Sequence, residues 1–159
     1  MKLKSAVFIA VIATFFVWSN NSYGGEWEVS HFEGPQGNRH PVAQVKNDLG
    51  FVFNVTGAKN DSLKKAGLVI PKNYKPISRD AVFVKFQIDA YSIQRKNINR
   101  IAGGYGAIFY LNNRDISRLK KGQNFKVSYY GIAGWSGATT FTLKGSNKAI
   151  SHAISHYWR

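Results

Sequence analysis

The sequence predicts a mainly β domain, an antiparallel sandwich or a partly open barrel with two short helices. Its apolar residues come in short bursts bounded by glycine, proline and asparagine, which is typical of strands joined by turns. Residues 81–89 alternate between apolar and mostly polar positions, as expected for a strand with one well-buried side. No internal repeat and no regular succession of strand and helix is present, so a parallel α/β sheet is not expected.

The first half of the domain contains four segments of strand character: 27–32, 42–45, 49–56 and 66–70. The second and third are expected to form a hairpin with its turn near Asn47 and Asp48. The polar and basic residues 57–65 are expected to form a loop or a single helical turn. Pro71 ends the fourth strand and begins a loop that reaches residue 80.

The second half contains four further strand-like segments: 81–89, 107–111, 125–130 and 138–143. A basic linker, 94–100, and a glycine cluster, 103–106, separate the first two. The last two are expected to form a hairpin across a glycine-rich turn around Trp135.

Two short helices complete the expected fold. The first is capped by Asn112 or Asn113, runs through Lys120 and ends at Gly122. Its inward-facing residues are Ile116 and Leu119. The second begins with Ser146 as its N-cap. Its apolar stripe consists of Ala149, Ile150, Ala153, Ile154 and Tyr157.

The first 24 residues have the layout of a secretory signal peptide. Two lysines precede an uncharged, almost wholly apolar run of thirteen residues, and Ser22 and Gly24 supply the small residues of a cleavage site. The run is shorter than the ~20 residues that a membrane-spanning helix needs. A retained N-terminal anchor is the alternative. Residues 1–24 are therefore expected to be a signal peptide, and residues 25–159 a single β-rich domain that is periplasmic or secreted.

The composition of the exported part limits its chemistry. Cleavage leaves 135 of the 159 residues, enough for one hydrophobic core. The signal peptide holds two of the 22 basic residues and none of the eight acidic ones, so the domain carries a net charge of +12. The chain has no cysteine, which excludes disulfides, cysteine nucleophiles, thiolate metal sites and a lipid-modified cysteine.

Basic residues concentrate in three segments that are expected to be loops: 72–79, 95–100 and 114–121. Basic side chains beside aromatic rings suit nucleic acids, anionic glycans, lipid head groups and acidic proteins. Export argues against nucleic acid as the partner. The alternative is that the charge only keeps the domain soluble. The candidate binding residues are Lys72, Tyr74, Lys75, Arg79, Arg95, Lys96, Arg100, Arg114, Arg118, Lys120, Lys121 and Trp135.

No catalytic, metal or cofactor site is expected. The few carboxylates lie mostly in expected turns or helix starts, and no pair is expected to face another across a cleft. His152 and His156 have helical i, i+4 spacing but no acid between them, so solvated histidines are expected. The glycine cluster 103–106 lacks the Lys and Ser/Thr of a phosphate loop and is expected to be a bulge or a tight turn. Residues 134–137 are one residue short of a nucleophile elbow.

Three stretches in this order resemble a group of small exported bacterial proteins. They are Gly25-Glu26-Trp27-Glu28-Val29, then 82–89 with Phe86-Gln87-Ile88-Asp89, then 141–145 followed by Ala149-Ile150 and Trp158. The layout is similar to the type VI secretion-associated VasI/TagO-like accessory proteins and, more loosely, to the invasion-associated locus B proteins. Both groups usually carry paired cysteines, which this chain lacks, and VasI-like proteins tend to have arginine at the position of Gln87.

The resemblance implies a periplasmic or secreted, non-catalytic module that assists secretion or host contact. With the basic segments, it leads to the hypothesis of a virulence-associated binding module for an anionic envelope component or protein partner. A second hypothesis is an inhibitor of, or immunity protein against, an envelope-targeting enzyme. A domain of charge +12 would be repelled by basic lysozyme-like targets.

Overall fold

A computed structural model describes residues 25–34, 36–58, 62–132 and 136–157. The segment expected to be a signal peptide and Trp135 lie outside these ranges. The described residues form nine strands and two helices, which confirms the mainly β class. The strands are β1 (Glu28–Glu33), β2 (Arg39–Lys46), β3 (Val52–Thr56), β4 (Leu63–Val69), β5 (Phe83–Ile88), β6 (Gln94–Ala102), β7 (Gly106–Asn112), β8 (Asn124–Tyr130) and β9 (Ser136–Thr142). The helices are α1 (Asn113–Lys121) and α2 (Ser146–Ser155).

All nine strands belong to one antiparallel sheet with the order β1-β2-β3-β4-β7-β6-β5-β8-β9. The two ends of this sheet approach one another. The Trp27 backbone N–H donates to the Lys144 carbonyl oxygen at 3.2 Å. The Asn47 amide, just after β2, donates to the Thr139 hydroxyl at 2.6 Å on β9. The sheet is therefore strongly coiled and forms a partly open barrel.

An aromatic cluster fills the barrel. Phe53 on β3 is fully buried, and the other rings surround it with centroid distances of 4.6–6.2 Å. These rings are Trp27, Phe86, Phe109, Phe125 and Phe141. Aromatic side chains bury large areas, and tilted or edge-to-face pairs add to the stability that burial provides. The chain thus has an extensive core without any disulfide.

The two helices pack against each other and α2 also packs against β1, β2 and β3. Buried Ile116 and Leu119 on α1 confirm its expected inward face. On α2 the buried apolar residues are Ala149, Ile150 and Ala153, with Ile154 partly buried, as the expected stripe requires. No helix within the described ranges is long and apolar enough to cross a membrane.

The expectation that Ser146 caps α2 is wrong. Gly145 occupies the N-cap position with φ +81°, a left-handed conformation that favours glycine. The Ser146 hydroxyl instead donates to the Leu119 carbonyl oxygen at 2.8 Å, a buried bond that joins the two helices. Ser146 thus lies at a helix start, but the partner of its hydroxyl belongs to the other helix.

Two segments expected to be loops belong to strands. Leu63, Lys64 and Lys65 are the first three residues of β4, although the expected loop 57–65 included them. The basic linker 94–100 lies within β6, which pairs with β5 at its start and with β7 at its end. A register shift between Ile98 and Arg100 marks the change of partner. Such bulges bend a strand and allow a sheet to coil.

Candidate anion-binding face

The structure separates the three basic segments that the sequence singles out. Residues 72–79 lie in a loop beside the β6–β7 turn, where the Ile77 N–H donates to the Gly104 carbonyl oxygen. Residues 95–100 lie on β6, and residues 114–121 lie in α1. The expectation of a basic loop is therefore wrong for 95–100, which belongs to a strand, whereas 114–121 forms the short helix that the sequence also predicted.

Lys96 has a structural partner. Its Nζ lies 2.6 Å from Oδ2 of Asp115, and the two side chains are only 10% and 4% exposed. The same carboxylate oxygen accepts the Asn112 backbone N–H at 3.0 Å, and the Asn112 side chain accepts the Asp115 N–H at 2.9 Å. This reciprocal arrangement is a capping box that begins α1. Lys96 therefore has a structural role, because its ion pair joins β6 to the start of α1.

The remaining candidate residues are spread over the surface. Tyr74 packs edge-on against Phe51 with the ring centroids 4.7 Å apart, so its ring supports the core. The Arg118 guanidinium lies over the Tyr91 ring at 4.1 Å. Lys120 is half-buried. The exposed basic candidates are Lys72, Lys75, Arg79, Arg95, Arg100, Arg114 and Lys121.

The strand register creates a basic surface that no sequence segment contains. The outer face, as we call it, is formed by side chains of β6, β5 and β8 that point away from the core: Arg95, Asn97, Phe83, Lys85, Gln87, Lys126, Ser128 and Tyr130. Lys85 lies directly opposite Arg95, and Lys126 lies opposite Gln87, two residues along from Lys85. Directly opposed residues lie about 5 Å apart and diagonal ones about 7–8 Å apart.

Two aromatic rings fix part of the outer face. The Arg95 guanidinium carbon lies 4.6 Å from the centroid of the Phe83 ring, a cation–π distance. Phe83 in turn meets Tyr130 edge-on, with centroids 5.4 Å apart and an interplanar angle of 87°. The packing holds the Arg95 side chain against the sheet while its guanidinium edge stays accessible.

The residues of the outer face carry positive charge and include no carboxylate. Asp89, just after β5, has its carboxylate on the backbone N–H groups of Gln123 and Asn124. In the part of the chain that the structure describes, Lys85, Arg95 and Lys126 take part in no ion pair. Several carboxylates are held elsewhere: Asp115 by Lys96, Glu26 by Lys144 and Glu28 by the Gln44 amide. Like charges on opposed residues destabilise a sheet, so the Lys85–Arg95 pair has a cost that an anionic ligand would remove.

Sequence reasoning missed Lys85 and Lys126. Each stands alone between apolar residues of its strand, so neither belongs to a run of basic residues. The alternation in 81–89 did place Lys85 on the polar side of its strand. The signal that joins it to Arg95 and Lys126 is the pairing of β6, β5 and β8, which requires the register.

The structure also places the glycine cluster and the histidine pair. The glycine cluster is the turn between β6 and β7, as expected, with Gly103 and Gly104 at φ +58° and +78°. The rings of His152 and His156 stack with centroids 4.1 Å apart, and His156 Nδ1 lies 3.0 Å from the His152 carbonyl oxygen. Within the described ranges no group of three or more His, Cys, Asp or Glu residues could hold a metal ion.

These features define a small, single-sheet antiparallel β domain with a basic outer face. No protein-family model matches the chain, and no curated protein matches it. Among solved structures, invasion associated protein B from Bartonella henselae matches with a TM-score of 0.61 and 17% identity over 86% of this chain and 97% of that one. At this identity the likeness shows a shared fold. It agrees with the looser of the two resemblances, and the VasI/TagO-like resemblance stays a prediction.

Proposed function

We propose that this protein is an exported, non-catalytic binding module of the bacterial envelope that engages a polyanionic partner through the outer face. The observation that carries the proposal is the placement of Lys85, Arg95 and Lys126 on three adjacent strands without a carboxylate among them. Basic surfaces with aromatic rings suit chains of sulfate, phosphate or carboxylate groups.

A partner with several anionic groups fits this face better than a single anion. The three cations form an oblique line across β6, β5 and β8, with neighbours about 5 and 7–8 Å apart. One small anion would reach two of them at most. A linear polyanion lying along the line would meet all three and relieve the repulsion between Lys85 and Arg95.

The solved structure with the same fold supports an accessory role. Its name associates the Bartonella protein with invasion, and we include host contact or assistance to secretion in the proposal for this chain. A polyanionic partner is consistent with that role, because anionic polysaccharides and acidic head groups cover both bacterial and host surfaces.

The outer face can be tested with one charge-removing variant and a matched control. We expect Lys85→Ser, Arg95→Ser and Lys126→Ser together to weaken binding to heparin, used as a model sulfated polysaccharide, by at least about tenfold, because charge-assisted contacts are lost. The control removes the same charge from the exposed helix residues Arg114, Lys121 and Lys148. Affinity is measured by titration calorimetry at several salt concentrations, and the same variants are then tested on isolated anionic envelope fractions.

The two variants separate local binding from net charge. In the outer-face variant the salt dependence of affinity should become shallower, while the helix variant should keep the wild-type slope and lose less than threefold in affinity. An equal loss in both variants would reject the face in favour of overall charge. Unchanged affinity in the outer-face variant would reject the proposal as well.

A further inference from the structure

A cleft of about 590 Å³ lies where the loop 71–80 meets the β6–β7 turn. It shares no residue with the outer face. Its lining includes Ile77 from the loop, Ile101 and Tyr105 from the end of β6 and the turn, and Ile132 after β8. The volume is within the range of sites that bind small molecules in proteins.

Backbone hydrogen bonds join the segments that surround the cleft. The Ile77 N–H donates to the Gly104 carbonyl oxygen at 2.6 Å, and the Ile132 N–H donates to the Pro76 carbonyl oxygen at 3.2 Å. Gly104 has φ +78°, and a Cβ there would lie 3.0 Å from Pro76 Cβ, so the close approach of the two segments depends on glycine. Three parts of the chain are thus joined through backbone groups, and a ligand would enter a preformed site.

The walls are aliphatic and partly exposed. Ile77 is fully buried at the base, Ile101 and Tyr105 are half-buried, and Ile132 is 46% exposed. An isoleucine with nearly half of its surface in water gains stability when an apolar group covers it. The accessible isoleucines Ile101 and Ile132 favour an aliphatic occupant over a flat aromatic one.

One cation stands at this cleft. Arg79 lines it, is exposed, and makes no ion pair within the described ranges. Asp80 follows it in the chain but does not line the cleft. A guanidinium offers two parallel N–H donors to a carboxylate. The cleft therefore complements a ligand in which a carboxylate is joined to an apolar body.

We infer that this cleft binds a medium-chain aliphatic carboxylate, with the chain between Ile101 and Ile132 and the carboxylate on Arg79. The inference is independent of the proposed function, since the two surfaces use different residues. The protein would then have two separate sites: the cleft for a small amphiphile and the outer face for a large polyanion.

The test titrates decanoate into the isotope-labelled protein and follows the backbone amide signals by NMR. We expect saturable shifts centred on Ile77, Gly104 and Ile132. Arg79→Gln should weaken decanoate binding about tenfold, because a charge-assisted bidentate contact is lost, whereas Arg114→Gln on α1 should leave the affinity unchanged. Decyltrimethylammonium, with the same chain and the opposite charge, should bind at least about tenfold more weakly than decanoate.

A second pair of variants tests the apolar wall. Ile132→Asp should weaken decanoate binding at least about tenfold, while Val82→Asp, an equal change at a residue 67% exposed outside the cleft, should change it less than twofold. Decanoate affinity should survive in the outer-face triple variant, which separates this inference from the proposed function. Absence of saturable shifts, equal binding of the cationic amphiphile, or wild-type affinity in Arg79→Gln would each overturn it.

Discussion

The Asp115 carboxylate connects two elements that are distant in the chain. It accepts the Asn112 backbone N–H at the start of α1 and pairs with Lys96 on β6. Both side chains of the ion pair are nearly removed from water. A buried charge that loses its partner is costly, even where the pair as a whole adds little stability.

Removal of the cation should therefore destabilise the domain. We expect Lys96→Met to lower the free energy of unfolding by about 3 kcal/mol, measured by urea denaturation, because Asp115 is left charged and unpaired. Adding Asp115→Asn to this variant should recover part of the loss. Lys85→Met, the same change on the outer face, serves as the control and should cost less than about 0.5 kcal/mol. Equal stabilities of the two single variants would contradict the structural role of Lys96.

The individual residues also explain how far the candidate binding site could be predicted. The sequence identified Arg95 and the basic character of the domain. It could not distinguish Arg95 from its neighbour Lys96, because the side chains of adjacent strand residues point to opposite faces and only the fold places Asp115 beneath one of them. Lys85 and Lys126 were missed because they come together through strand pairing alone.

At the level of elements, the start of α1 resolves an ambiguity. Asn112 and Asn113 are equally suited to an N-cap by composition. The structure assigns the cap to Asn112, whose side-chain oxygen accepts the Asp115 N–H while its backbone is extended at φ −85° and ψ 174°. Asn113 is the first helical residue and is exposed.

This assignment predicts unequal effects of the same substitution at two adjacent positions. Asn112→Ala should lower the free energy of unfolding by about 1 kcal/mol, the usual cost of losing an N-cap side chain. Asn113→Ala should be nearly neutral. Urea denaturation midpoints of the two variants provide the comparison, and a larger loss for Asn113→Ala would reverse the assignment.

The strands differ in how readily the sequence predicts them. β5 shows clear alternation, since Val84, Phe86 and Ile88 are buried and the residues between them are only partly so. β6 contains one strongly apolar residue in its first seven, Ile98, because one side of it belongs to the exposed outer face and the other carries Lys96 toward Asp115. Neither side of β6 has a row of apolar residues, so hydrophobic periodicity does not predict this strand.

A buried tyrosine in the core lowers the stability of the folded protein at alkaline pH. Burial, with the nearby Tyr74 phenol as the smaller cause, raises the pKa of the Tyr129 hydroxyl from 10.0 to about 12. The folded state thus favours the neutral phenol more strongly than the unfolded state does. The resulting contribution to stability is complete below pH 10 and is lost as the pH rises from 10 through 12.

Replacement of this phenol should flatten the alkaline part of the stability profile. Between pH 9.5 and 12, we expect the wild-type protein to lose about 2 kcal/mol more unfolding free energy than Tyr129→Phe. Urea denaturation across this pH range measures both proteins, and parallel profiles for wild type and Tyr129→Phe would refute the expectation.

The loop 71–80 has a practical consequence for anyone who engineers this domain. By length and composition it is a surface connection of the kind that usually accepts inserted sequence. Its hydrogen bonds to the β6–β7 turn and to the end of β8, and its fully buried Ile77, make it part of the frame that connects β4 to β5 across two intervening strands. An epitope tag or a guest domain therefore belongs in the β1–β2 connection, where residues 36–38 are exposed and Gly37 has open space around it.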